Sequence, residues 1–139
     1  MILDRTSQKL ELTSELESLA QIESFVDDLC EHYAVSEDEY GNILIAITEA
    51  VNNAITHGNQ MNPEKKVVLN VDGDSKGMEF IVEDEGPGFD VNTVPDPTLP
   101  ENLEKIRGRG IFLMRNLADE VLFENNGTKI KLIFSIPAI

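Results

Sequence analysis

The stretch Lys66-Val67-Val68-Leu69-Asn70-Val71-Asp72, then Gly73-Asp74-Ser75-Lys76-Gly77, then Met78-Glu79-Phe80-Ile81-Val82-Glu83-Asp84, decides the fold. Both flanks alternate apolar and polar side chains with period two, and the centre is rich in turn residues, so the segment reads as a β-hairpin. In its second run Met78, Phe80, Val82 and Asp84 share a face, which puts a carboxylate at the end of an apolar row. Toward the C-terminus the pattern recurs. A strand over 121–123, the turn Asn126-Gly127 and a last strand to Ile136 form a second hairpin. There Thr128, Ile130, Leu132, Phe134 and Ile136 share a face, with Lys129 and Lys131 opposite. Toward the N-terminus, residues 9–13 alternate weakly as a first strand. Ser14 and Glu17 read as a capping box, followed by Leu16, Leu19, Ile22, Val26, Leu29 and Tyr33 at helical spacing. Ser36 and Glu39 open a second helix that runs to His57 and stops at Gly58. A third helix is predicted over 111–118. Strands that follow one another in hairpins, rather than alternating with helices, predict an α+β two-layer sandwich. Its sheet is mixed but mostly antiparallel, with about three helices on one face.

The chain has 139 residues, 41% hydrophobic, enough for one core, so residues 1–139 read as a single domain. Residues 85–107 carry Pro87, Pro95, Pro97 and Pro100 without a helical or strand period. A loop of that length inside a small domain reads as a functional lid. The formal net charge is -15, which argues against direct nucleic-acid binding and against an anionic membrane surface. No apolar run approaches a membrane span, the N-terminus lacks a signal peptide, and the one cysteine, Cys30, allows no internal disulfide. A cytoplasmic location is expected. Cys30 lies near the first helix's apolar stripe and reads as a core packer rather than a reactive thiol.

Several chemistries are excluded. There is no P-loop and no Gly-x-Ser-x-Gly elbow. Gly108-Arg109-Gly110 lacks the third glycine of a dinucleotide fingerprint, because Leu113 stands there. Two histidines, His32 and His57, with one cysteine do not readily supply a zinc site. Three clusters remain. Glu49 and Asn53 are one turn apart, so both project from one face of a largely apolar helix. Their oxygens are hard donors suited to Mg²⁺. Asp84-Glu85-Gly86-Pro87-Gly88-Phe89 directly follows a strand; alone it is common turn chemistry. A half-buried Asp84 would want a donor, and an adenine amino group is one. Arg107-Gly108-Arg109-Gly110 stands just before the third helix, where free N–H groups and the positive dipole end attract phosphate.

In this order and spacing the clusters resemble the N, G1 and G2 boxes of the GHKL ATPase superfamily. The match is closest to its anti-sigma-factor serine protein kinase group. It is carried by Glu49…Asn53-Ala54…His57-Gly58, Asp84…Gly86…Gly88-Phe89 and Gly108-Arg109-Gly110, and spans essentially the whole chain. The family's fold is a histidine-kinase-like α/β sandwich. The resemblance implies ATP or ADP with Mg²⁺ as ligands. It implies Asn53 as the Mg²⁺ ligand and Glu49 as general base. Asp84 would bind the adenine amino group, with Gly86 and Gly88 beside it, and Thr128 would lie near the base. Gly108 and Gly110 would line the phosphates, with Arg107 or Arg109 as their cationic partner. The implied function is an ATP-dependent serine/threonine kinase acting on a small anti-sigma-antagonist protein and binding a sigma factor; a homodimer is also allowed. Two alternatives stay open: a nucleotide-responsive partner switch without phosphotransfer, and a detached histidine-kinase catalytic domain. No helix here resembles the phosphoacceptor helix that histidine kinases carry.

Overall fold

The computed structural model describes residues 6–33, 35–74, 76–87 and 106–135. The alternating segments form five strands: β1 (Thr6–Thr13), β2 (Lys66–Asp74), β3 (Gly77–Glu83), β4 (Glu120–Glu124) and β5 (Lys129–Ser135). They make one sheet in the order β1-β2-β3-β5-β4. Every pairing is antiparallel, so the sheet is simpler than the mixed one expected. The β2–β3 hairpin pairs Asp74 with Gly77, a tighter connection than the five-residue turn read from the sequence. Between β4 and β5 the pairing resumes at Glu124 and Lys129, so the connection is four residues rather than a bare Asn-Gly turn. Asn125, Asn126 and Gly127 all take positive φ there, which asparagine and glycine tolerate best.

Among the described residues three α-helices cover one face: α1 (Ala20–His32), α2 (Glu37–Asn53) and α3 (Ile106–Leu117). α2 begins as expected, with the Ser36 hydroxyl accepting the Glu39 N–H at 3.3 Å. It packs between α1 and α3 and against β3 and β5. Ile43, Ala46, Ile47, Ala50 and Val51 of α2 meet Leu69, Phe80, Val82, Leu132 and Phe134 of the sheet in one core. Phe80 and Phe134 stack edge to face, ring centres 5.8 Å apart. Ile45 of this largely apolar helix is exposed to solvent. Cys30 is buried in the core as read, and burial, with Asp27 adding to it, pushes its thiol up to about 11. It is inert packing at neutral pH.

Three boundaries differ from the sequence reading. Ser14 caps no helix: a 3-10 turn, Leu16–Leu19, precedes α1, and Ser14 is fully buried with its hydroxyl bonded elsewhere. α2 ends at Asn53, and residues Ala54–Gly58 form a π turn, with the Asn59 N–H reaching the Ala54 carbonyl at 2.8 Å. α3 begins at Ile106, five residues before the predicted start, so the glycine-rich box lies within the helix rather than before it. Ile106 and Arg107, expected in the lid, are therefore helical; the lid residues 88–105 lie outside the described residues.

Candidate functional site

The C-terminal half of α2 carries the first cluster toward α3. Asn53 is almost wholly buried, and Glu49 is half-buried one turn before it. Opposite them stands Gly110, in the second turn of α3. A Cβ there would lie 2.9 Å from Asn53 Nδ2 and 3.0 Å from Glu49 Oε2. The packing of α3 on α2, led by buried Ile111 and Met114, sets this approach, and glycine leaves room for the two polar side chains. Burial pushes the Glu49 carboxyl above the usual carboxylate range, and the Arg109 guanidinium pulls it partly back. Arg109 is exposed, on the first turn of α3, and its charge acts on Glu49.

Asn53 Nδ2 is buried without a hydrogen-bond partner. Buried polar atoms are almost always paired, so an orphan calls for an explanation. A half turn of the carboxamide offers oxygen instead of nitrogen at the same place. That oxygen is a hard donor of the kind Mg²⁺ takes. Among the described residues no cluster of three metal-binding side chains exists. Mg²⁺ in nucleotide sites keeps waters and phosphate oxygens and needs only one or two protein ligands, so the residues present fit that ion.

The second cluster lies at the far end of the π turn. A Cβ on Gly58 would overlap the Asp84 carboxylate, and one on Gly86 would overlap the Gly58 carbonyl. Only glycine permits these approaches. The Asp84 N–H donates to the Thr128 carbonyl at 2.9 Å, which brings Thr128, just before β5, to the same place. The Thr128 hydroxyl itself donates to the Asn125 carbonyl at 2.8 Å. The Gly86 N–H donates to Asp84 Oδ1 at 2.8 Å, so the side chain closes its own turn.

The structure thus gathers Glu49, Asn53, Arg109 and Gly110 at one end and Gly58, Asp84, Gly86 and Thr128 at the other. The end of α2 and the π turn join the two groups; π turns inside helices recur at functional sites. Gly108 falls in the first turn of α3, among the N–H groups without intrahelical acceptors. Arg107 is helical in its backbone, and its side chain lies outside the described residues, as does Gly88. Sequence reasoning gave no role to Asn59, the residue after Gly58 in the first cluster. It is 1% exposed, and its amide bonds Ser14, Lys66 and Glu85 at once. Its only sequence signal is a carboxamide directly after the Gly58 stop.

Residues 12–134 match the family model described as a histidine kinase-like ATPase domain. The chain is 32% identical over 133 residues to the anti-sigma F factor of Bacillus subtilis (strain 168), covering 89% of this chain and 91% of that one. It is 26% identical over 133 residues to the serine-protein kinase RsbW of Staphylococcus epidermidis, covering 90% and 84%. A crystal structure of the RsbU and RsbW domains of a Mycobacterium tuberculosis protein shares the fold. It superposes with a TM-score of 0.68 at 16% identity over 96% of this chain, which spans 34% of that longer one.

Proposed function

The chain belongs to the histidine kinase-like ATPase domain family, and on that footing we propose that it is an ATP-dependent serine/threonine protein kinase of the anti-sigma type. It phosphorylates a small anti-sigma-antagonist protein and binds a sigma factor. Relatives named anti-sigma F factor and serine-protein kinase RsbW support the class. The observation that carries the reading is Glu49: a half-buried carboxylate, raised by burial, beside the orphaned Asn53 amide and opposite a glycine.

In this reading Asp84 accepts a hydrogen bond from the adenine amino group, with Gly86 and Gly88 allowing the base to approach and Thr128 beside it. Asn53 would hold Mg²⁺, which would supply positive charge against the phosphates. Gly108 and Gly110 line the phosphates, and Arg107 or Arg109 supplies the cation. Glu49 takes the proton of the attacking serine hydroxyl onto a carboxylate oxygen, while the serine oxygen bonds the γ-phosphorus and the bond from that phosphorus to the bridging oxygen breaks, releasing ADP. A carboxylate with a raised pKa is the better base near neutrality.

Glu49→Gln keeps size and hydrogen bonding and removes the base. ATP affinity should stay within about threefold, since no contact to nucleotide is lost. Phosphotransfer to the partner serine should fall by at least ~100-fold. Sigma-factor binding should survive. Single-turnover phosphorylation beside calorimetric ATP titration reads both. Wild-type rate in Glu49→Gln removes Glu49 from the role of base. A wild type that binds ATP and phosphorylates no partner replaces the kinase with a nucleotide-responsive switch, and acid-labile phosphate on the partner replaces it with a histidine kinase.

A further inference from the structure

Four separate segments meet at Asn59. Its Nδ2 donates to the Ser14 hydroxyl at 2.8 Å and to the Lys66 carbonyl at 3.0 Å, which uses both of its N–H bonds. Its Oδ1 accepts the Glu85 N–H at 2.7 Å. The Ser14 hydroxyl donates in turn to the Lys65 carbonyl at 2.5 Å. The Glu85 carboxylate closes the circuit by accepting the Lys66 N–H at 2.6 Å. Ser14 and Asn59 are both buried, at 0% and 1% exposure. The network ties the end of β1, the exit of the π turn, the start of β2 and the loop after β3. The residue it grips in that loop, Glu85, directly follows Asp84.

We propose that Ser14 and Asn59 are positioning residues that fix the Asp84 carboxylate for recognition of an adenine amino group; this rests on the nucleotide reading above. The Asp84–Gly86 loop follows a strand and precedes residues rich in proline, so it has no regular structure of its own to hold it. Besides the Glu85 carboxylate on the Lys66 N–H, two of its own backbone N–H groups anchor it, Asp84 N–H on the Thr128 carbonyl and Glu85 N–H on Asn59. The first anchor continues the sheet. The second hangs on a side chain whose orientation is set by Ser14 and Lys66. Both amide donors of Asn59 point at oxygens and its oxygen points at an N–H, so neither Asp nor Leu reproduces the pattern. Without Asn59 the Glu85 N–H loses its acceptor, and the loop that carries the Asp84 carboxylate loses one of its holds beside Gly58.

A positioning role and a merely structural one part on base selectivity. ADP and inosine diphosphate share every phosphate; inosine has a carbonyl in place of the adenine amino group and a proton on the neighbouring N1. Wild type should bind ADP about ten-fold or more tightly than inosine diphosphate, because a site built to accept from an amino group rejects the analogue without it. Asn59→Ala should weaken ADP about ten-fold and inosine diphosphate less than about threefold, so selectivity collapses. Ser14→Ala, one bond further out, should move selectivity the same way by about threefold, and it decides the matter if Asn59→Ala does not fold. Calorimetric titration of both nucleotides in Mg²⁺ on the three proteins reads all six affinities. Equal losses for the two nucleotides, or no loss, overturn the positioning role while leaving nucleotide binding intact. A wild type that binds ADP and inosine diphosphate equally overturns the adenine reading itself, and the positioning role with it.

Discussion

Gly110→Ala tests the meeting of α2 and α3 most directly. A Cβ at Gly110 stands 2.9 Å from Asn53 Nδ2 and 3.0 Å from Glu49 Oε2, whereas non-bonded heavy atoms prefer about 3.5 Å or more. Both side chains must therefore retreat by about half an ångström. Alanine gains about 1 kcal/mol over glycine inside a helix. Forcing an extra methyl into a packed contact costs about 1–3 kcal/mol. The net is a loss between about zero and 2 kcal/mol, a fall in Tm of at most ~8 °C for a chain of this size. Catalytic geometry is less tolerant. Misplacement by 1 Å costs about 100-fold in rate, so half of that should cost about ten-fold. Gly41 is the matched control: it too lies inside a helix, α2, and nothing lies within 4 Å of a Cβ built there. Gly41→Ala keeps the helix gain without the clash, so its Tm should rise by about 2–5 °C with phosphotransfer unchanged. Thermal melts and single-turnover phosphorylation on both variants are the assay. If Gly110→Ala melts higher than wild type and reacts at the wild-type rate, as Gly41→Ala should, then Gly110 does not face Glu49 and Asn53.

Asp84→Asn should shrink the rise in Tm that ADP gives wild type, because the carboxylate acceptor becomes a group with a mismatched donor; an undiminished rise removes Asp84 from the base. Asn53→Ala should weaken ATP binding in Mg²⁺ more than in EDTA, and equal losses by calorimetry would take the metal away from Asn53. Burial raises the folded pKa of Glu49 above its unfolded value. Its contribution to stability is thus whole below the unfolded pKa and is lost as pH rises through the folded one. Glu49→Gln should accordingly melt higher than wild type at about pH 8 and converge with it near about pH 4. A gap that is constant across that range in paired melts would show that Glu49 is not held in a desolvated place.

The parts of the fold legible in the sequence are those fixed by neighbours along the chain. The alternation of Met78, Phe80 and Val82 and the Ser36 cap each declare themselves within a few residues. So do Glu49 and Asn53, whose shared helix face follows from their spacing. What stayed hidden depends on distant partners. Ser14 followed by Glu17 imitates a capping box, yet the Ser14 hydroxyl is spent on Lys65 and Asn59, 51 and 45 residues away. The π turn at Ala54–Gly58 has the same residue types as the helix before it, and one extra residue per turn leaves no mark on periodicity. The early start of α3 was masked by Gly108 and Gly110, which read as a break; packing against α2 outweighs their poor helix propensity. The Gly110 contact with Glu49 and Asn53 joins segments far apart in sequence, which no local pattern encodes.

In the sheet order β1-β2-β3-β5-β4, the β2–β3 and β4–β5 pairings close within a few residues, whereas Ser7 meets Asp72 across 65 residues of chain. Closing a long loop costs entropy before its contacts form, so the local hairpins are the fast steps of folding and the docking of β1 is a slow one. Ser14 arrives with β1. The network around Asn59 is therefore complete only when the sheet gains its outermost strand, and the loop bearing Asp84 takes its final shape at that late stage. Nucleotide added to the refolding chain meets no finished site until then; it slows unfolding and leaves the refolding rate unchanged, which stopped-flow traces with and without ADP read directly.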